Sequence, residues 1–343
     1  MICHSSIIHA GWQATLTIRR FVGIVGRMVA RTRITIRPFD GSLASAEGLL
    51  DVERAVFDEC PYSAEQVQSM LADGPQRAWL ALGGDTVVGF VIAFRTAGLQ
   101  DPLWEIDLLA VHPQWRGQRL GARLIRASSA STESIPRRAR AYVASDNVAS
   151  AQAFSRVGLR PTPETYTLLI YRTDGPTRGE GWQTTPAPGL TIHEAASLSE
   201  AVDWLPDPYP DPKGADQRSV GKPLGSEVAT PLDKDTNLTL LLAEKKDQPA
   251  GYAVLIGVQT LLYQGIWIET LEAQERIVRE ALIHGAVTRA LASGLDEIGA
   301  MVGARTWPLK DSLLAAGFRS LGEFRRYTAI LPLPGLATKS SET

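Results

Sequence analysis

The chain has 343 residues, enough for about two domains at roughly 150 residues each, which excludes the small scaffolds held by disulfides or metals. Hydrophobic residues make up 44% and charged residues 21%, and 35 basic against 37 acidic side chains leave a formal net charge of -2. That balance describes a soluble globular chain and excludes a polybasic nucleic-acid binder or an acidic disordered tail.

Two cysteines, Cys3 and Cys60, and five scattered histidines give neither a disulfide framework nor the spacing of a zinc site. The fold is therefore expected to rest on its core in a reducing, cytoplasmic compartment, with no metal.

Residues 1 to 30 read as a peripheral leader, because the apolar FVGIVG is too short to cross a bilayer and arginines flank it. From Arg33, ITIRPF alternates as a strand and AEGLLDVERAVFDE has the spacing of an amphipathic helix. A second helix is expected in SAEQVQSMLAD, N-capped by Ser63. AWLALGGDTVVGFVIAFRT divides at Gly83-Gly84-Asp85 into a hairpin. WEIDLLAV is a further strand, and RGQRLGARLIRASS enters a helix that is basic on one side. RARAYVASDN, VASAQAFSRVG and TYTLLIYR follow as strand, Gly-terminated helix and strand.

Residues 174 to 189, rich in Gly, Pro and Thr, form the expected linker. The chain after it repeats the first half. TLLLAEKKDQPAGYAVLIGV matches the first hairpin, and Gly89 and Gly251 are 162 residues apart. The same offset carries Asp107 to Glu269. KDSLLAAGFRS echoes AQAFSRVGLRP, and RYTAIL echoes TYTLLI. This order of elements is a repeat signature, so the expected architecture is α/β: two tandem domains, 31 to 173 and 190 to 333, each a mixed twisted sheet flanked by helices, with a tail from 334. DWLPDPYPDPKGADQRSVGKP reads as an exposed loop between the openings of the repeat.

The stretch that carries chemistry runs from Leu108 to Ile125. A strand ends near Val111, and Arg116, Gly117, Gln118, Arg119, Leu120 and Gly121 lead into a helix, where backbone amides and the helix dipole both favour a phosphate. Glu105 and Asp107, two residues apart on the strand, project to one side. Either carboxylate can take a proton from an amine if burial raises its pKa toward neutrality.

These stretches together resemble the GCN5-related N-acetyltransferase family, over residues 32 to 172. The strand LLAVHP and the loop Arg116 to Gly121 match the family's pyrophosphate-binding motif, and Asn147, Ala151, Phe154, Gly158 and Leu159 match its later motif. The resemblance implies acetyl-CoA as cosubstrate and acetyl transfer to a primary amine by direct attack. It also implies an amide at Leu109 that polarises the acetyl carbonyl, backbone pairing with pantetheine near Val111, and CoA-side contacts at Asn147 and Phe154. Two positions depart from the family. Arg119 replaces a glycine, and Phe154 replaces the tyrosine that in many members protonates the departing thiolate, so either CoA leaves as thiolate without that acid or a tyrosine such as Tyr166 or a water supplies the proton.

His112 reads as structural, and Trp104, Trp115 and Phe94 as acceptor-pocket candidates. The corresponding segment of the second half, IETLEAQERIVREALIHGAV, has no glycine before Gly285, and Glu269, Glu272 and Glu275 add negative charge. It reads as a degenerate copy that shapes the acceptor site. The expected acceptor is a small-molecule amine rather than a protein, with no nucleic acid or membrane partner. The alternative is a noncatalytic acyl-CoA sensor.

Overall fold

The computed structural model describes residues 33–57, 62–96, 103–130, 138–173, 188–195, 238–295 and 297–333. The expected leader, both cysteines, most of the linker, the Pro-rich loop at 203–223 and the tail lie outside the described residues.

The first half runs β1 (Ile34–Pro38), α1 (Leu43–Phe57), α2 (Ala64–Asp73), β2 (Gln76–Gly83), β3 (Thr86–Thr96), β4 (Leu103–Val111), α3 (Leu120–Ser128), β5 (Arg138–Ala144), α4 (Val148–Arg156) and β6 (Arg160–Arg172). The second half runs β7 (Leu190–Glu194), β8 (Leu238–Lys245), β9 (Gln248–Gln259), β10 (Gln264–Ala273), α5 (Arg276–Ala292), β11 (Glu297–Gly303), α6 (Trp307–Ala315) and β12 (Arg319–Ile330). Local signals placed these elements. Ser63 caps α2 in a reciprocal capping box with Gln66, and the β2–β3 hairpin turns at Gly84, whose φ is 66°.

One sheet of twelve strands, in the order β1-β2-β3-β4-β5-β12-β6-β11-β10-β9-β8-β7, holds the whole molecule. The expectation of a separate sheet for each half is therefore corrected. The closing strands are exchanged: β12 of the second half lies between β5 and β6, and β6 of the first half lies between β12 and β11. Each half's parallel strand, β5 or β11, thus finds its antiparallel neighbour in the other half. The physical reason is edge satisfaction, because β5 and β6 without β12 would each present a row of unpaired backbone groups.

Helices α3 and α4 cover one face over the core that includes Trp104, Ile106, Leu124 and Phe154. On the same face, α5 and α6 cover the core around Ile268, Leu271 and Leu282. Helices α1 and α2 cover the opposite face around Leu50, Phe90 and Leu108.

The internal repeat is exact where it matters for the site. Asp107 is the extra residue of a β-bulge in β4, because Ile106 and Leu108 pair with adjacent residues of β3. Glu269 is the extra residue of the same bulge in β10. Before each bulge Trp104 and Ile106, or Ile266 and Ile268, face the α3/α4 or α5/α6 side. After it Leu109 and Val111, or Leu271 and Ala273, do so. Gly89 pairs with Val111 and Gly251 with Ala273. A Cβ on Gly89 would lie 2.9 Å from the Ala110 carbonyl oxygen, and one on Gly251 would lie 2.6 Å from that of Glu272, so both strand crossings require glycine.

Candidate active site

The parallel ladder between β4 and β5 is short. It pairs Leu103 with Arg138, Trp104 with Ala139 and Glu105 with Arg140, and then stops. Beyond Glu105 the two strands part, leaving the β5-facing edge of β4 open. The His112 amide donates to the Val88 carbonyl of β3 at 3.0 Å. Amides alternate sides along a strand, so those of Leu109 and Val111 point to the open edge. The Val111 carbonyl on that edge accepts the Arg116 Nε–H at 3.2 Å.

The loop that follows is built to expose donors. Pro113–Trp115 make a 3₁₀ turn capped by His112, whose Nδ1 accepts the Gln114 amide, the structural role expected for His112. Gly117 has φ 80°. Arg119, at φ 59° and ψ 24°, takes the left-handed conformation that suits glycine and precedes α3 with no side-chain cap. The first amides of α3 are therefore left to an external partner. Gly121 lets the helix start approach its neighbours, since a Cβ there would meet Ala153 and Leu109 side chains at 3.4 and 3.6 Å. Beside the loop a cleft of about 450 Å³ is lined by Gln118, Arg119, Ala122, Arg123, Arg126 and Arg156. Four guanidinium groups and uncapped helix amides fit a phosphorylated ligand, and Arg123, Arg126 and Arg156 extend the site beyond the loop read from the sequence.

The carboxylates occupy the opposite face, and the sheet curls toward it: Glu269 on β10 reaches Arg140 on β5 although three strands lie between them in the sheet order. Arg140 is buried and fully engaged. Its Nε–H donates to Glu105 at 2.6 Å, and its two terminal nitrogens donate to Glu269 at 2.6 and 3.3 Å. Burial pushes the Glu105 carboxyl up and Arg140 opposes this, so Glu105 is held in a structural ion pair. Glu269 is held likewise, a correction to its reading as free negative charge at the mouth of the second half.

Asp107 is the carboxyl that Arg140 does not hold. Its carboxyl is pushed up to about 7, first by removal from water and then by repulsion from Glu105, against a hydrogen bond from Thr260. The Gln76 amide donates to it at 3.3 Å, and Gln76 accepts the Leu261 amide at 3.0 Å. Thus the β9–β10 turn of the second half holds the first half's carboxylate in place. Gln76, Thr260 and Arg140 carried no motif in the sequence, and only the fold brings the first two to Asp107 and Arg140 to Glu105.

Several predicted residues have structural roles here. Asn147 caps α4 by accepting the Ser150 amide at 3.0 Å. Phe154 is buried on the α3/α4 side and packs against Tyr327 of β12, with ring centroids 5.9 Å apart. Tyr166 does not stand in for it: Tyr166 belongs to the other face, where it packs edge-on to Tyr142 and its hydroxyl donates to Glu164 at 3.3 Å. Trp104 is likewise buried on the α3/α4 side, edge-on to Trp79, and Trp115 lies over Gly83, so neither lines the carboxylate face. Phe94 pairs with Glu105 and is half-buried.

The second half keeps the opened strand pair, since β10–β11 pairing stops at Ile268 and Ala300. It lacks the phosphate loop. Helix α5 begins at Arg276, directly after β10, and Arg279 donates to the Ala273 and Gln274 carbonyls at that turn. Among the described residues no cluster of three His, Cys, Asp or Glu could hold a metal, and no helix is long and apolar enough to cross a membrane.

Residues 46–159 match the model of the acetyltransferase (GNAT) family. No curated protein matches the chain in sequence. A GCN5-related N-acetyltransferase from Sphaerobacter thermophilus superposes with a TM-score of 0.54 at 16% identity, over 87% of this chain and 95% of its own. A tandem GNAT protein from the clavulanic acid biosynthesis pathway gives 0.52 at 14% identity, over 87% of this chain and 98% of its own. A GCN5-related glucosamine N-acetyltransferase region of a fungal multi-domain β-N-acetylglucosaminidase gives 0.55 at 14% identity, over 89% of this chain and 39% of that one. The structure has the GNAT acetyltransferase fold, in a length shared with a tandem protein of that fold.

Proposed function

We propose that the chain is an N-acetyltransferase that moves an acetyl group from acetyl-CoA to the primary amine of a small molecule, by direct attack in a ternary complex. The observation that carries this reading is the juxtaposition on β4: open-edge amides at Leu109 and Val111, and a carboxyl at Asp107 tuned to about 7. Each half of the sheet reads as one of two tandem acetyltransferase units. Only the first, over 31 to 173, has the loop for a phosphorylated cosubstrate, and the second completes the acceptor face.

The residues present fit acetyl-CoA. Arg116 to Gly121 and the start of α3 would hold its pyrophosphate, the arginine cleft its remaining phosphate, and the open edge of β4 its pantetheine arm. When bound, it supplies a thioester carbonyl as the electrophile. The Leu109 amide, fixed by the strand, stabilises negative charge developing on the acyl oxygen without reorganising. Asp107 takes the proton that the acceptor ammonium must lose before its nitrogen can attack. Glu105 cannot share that task while Arg140 occupies it. The buried Thr260 and Leu261 close this face with the second half's turn, which favours a small acceptor over a protein chain. A cytoplasmic site of action, expected from composition, fits the supply of acetyl-CoA.

The test is calorimetric titration with acetyl-CoA of the wild-type chain and of an Arg116→Ala/Gly121→Glu variant, followed by thiol release with a panel of amines. Binding lost in the variant and thiol release dependent on amine are expected. Absence of binding overturns the reading, and binding without turnover across the panel replaces it with that of a sensor.

A further inference from the structure

The carboxylate face carries a second cation that no described carboxylate contacts as an ion pair. Arg326 on β12 pairs with Tyr142 of β5, two residues beyond Arg140, and so stands beside the point where β4 and β5 have parted. Its guanidinium lies over the Tyr166 ring, 4.9 Å from the centroid. Its Nε is buried and finds no hydrogen-bond acceptor. Among the described residues no carboxylate forms an ion pair with it.

Arg140 offers the contrast. It lies over Tyr142 at 5.4 Å in the same manner, but both edges of its guanidinium are filled by Glu105 and Glu269. Two arginines thus rest on two tyrosines packed edge-on on one face, one held by two carboxylates and one, among the described residues, by none. A buried donor left without a partner costs about 1–3 kcal/mol, and more when charged, so Arg326, unmatched among the described residues, calls for an anion. Glu105 and Tyr142 both feel its charge, which places it beside the Glu105–Arg140 pair.

Resting on the acetyltransfer reading above, we infer that the acceptor is an amine that also carries an anionic group, a carboxylate in the first instance, and that Arg326 binds this group while Asp107 receives the amine. Tyr142 lies across the opening from Asp107 on β4, and β12 is the next strand. β12 lies two strands from β4, and because β4 and β5 have parted here the gap exceeds the roughly 10 Å of two paired strand spacings. An amino acid or a related amino-carboxylate carries the amine and the anion that these two groups would each hold. Arg326 comes from the exchanged strand, so the second half supplies the group that selects the acceptor.

The experiment compares kcat/KM for amino acids with that for the amines obtained by removing their carboxylate, in the wild-type chain and in Arg326→Gln and Arg326→Lys, with acetyl-CoA affinity measured for each protein. The wild type is expected to prefer the carboxylated acceptor by roughly 10- to 100-fold, the range of one hydrogen-bonded charge pair. Arg326→Gln should collapse this ratio toward one, and Arg326→Lys should keep part of it. Turnover with equal efficiency on both acceptor types, or an unchanged ratio in Arg326→Gln with acetyl-CoA affinity intact, overturns the inference alone. Failure to bind acetyl-CoA, or to turn over either acceptor type, overturns the acetyltransfer reading and this inference with it.

Discussion

At the scale of single residues, Asp107 and Glu105 show how far side-chain chemistry can be read from a strand. Two carboxylates at i and i+2 identify a candidate base pair, but not which member is free. That choice depends on Arg140, 35 residues from Glu105, and on Glu269, a further 129 residues along, separations that no local pattern encodes. Asp107→Asn is expected to lower kcat by about 10²- to 10⁴-fold and to remove a rise in rate centred near pH 7, measured as a pH profile of amine-dependent thiol release.

The same group gives a stability signature of defined sign. The Asp107 carboxyl titrates higher when folded, so between its ordinary value of 3.8 and about 7 the native state binds more protons than the unfolded one. Stability from this group is present at low pH and is lost as pH rises through that window. Denaturant titrations should therefore show the wild type losing ground to Asp107→Asn from pH 4 to 7, with a constant difference above.

At the scale of elements, helices, hairpins and their caps were legible because their signals are local: the Ser63 cap, the Gly84 turn, and the alternation of β4. The bulge at Asp107 was not, because a bulge is defined by its partner strand, and its effect is to turn Leu109 away from the carboxylate face that simple alternation would give it. The phosphate loop shows a compromise. Arg119 carries a left-handed backbone that costs an ordinary residue roughly 1–2 kcal/mol, where glycine would instead lose roughly 0.5–1 kcal/mol in chain entropy. Arg119→Gly is thus expected to leave the melting temperature equal or slightly higher. It should weaken acetyl-CoA binding several-fold in low salt, with the difference fading in high salt as the charge is screened. Calorimetry on the free protein and titration at two salt concentrations check both halves of this expectation.

At the scale of the whole molecule, the duplication was visible in the order of elements and in the offset from Gly89 to Gly251, whereas the joining of both copies into one sheet was not. Strand exchange leaves no trace in hydrophobic periodicity, since β6 and β12 have the same alternation whichever neighbours they choose. Its mechanical consequence is that neither half is a complete unit. A chain ending at residue 173 would expose the edges of β5 and β6 along their length, and is expected to aggregate or to remain open to proteolysis. The full chain should instead unfold in one transition by both far-UV and near-UV probes. Two transitions, or a well-behaved monomeric first half, would contradict the interlocked sheet.

The exchange also fixes an order of events during biosynthesis. Strand β12 begins at Arg319, well over a hundred residues after β6 ends at Arg172, so it leaves the ribosome long after the first copy. The first copy is made first, yet its β5 must wait for β12 of the second copy before it gains its antiparallel neighbour. Domain-by-domain maturation, the usual route for long chains, is closed to this protein. Translation that stops before β12 would release a chain with Glu105, Asp107 and the whole loop from Arg116 to Gly121 but with β5 unpaired on one edge.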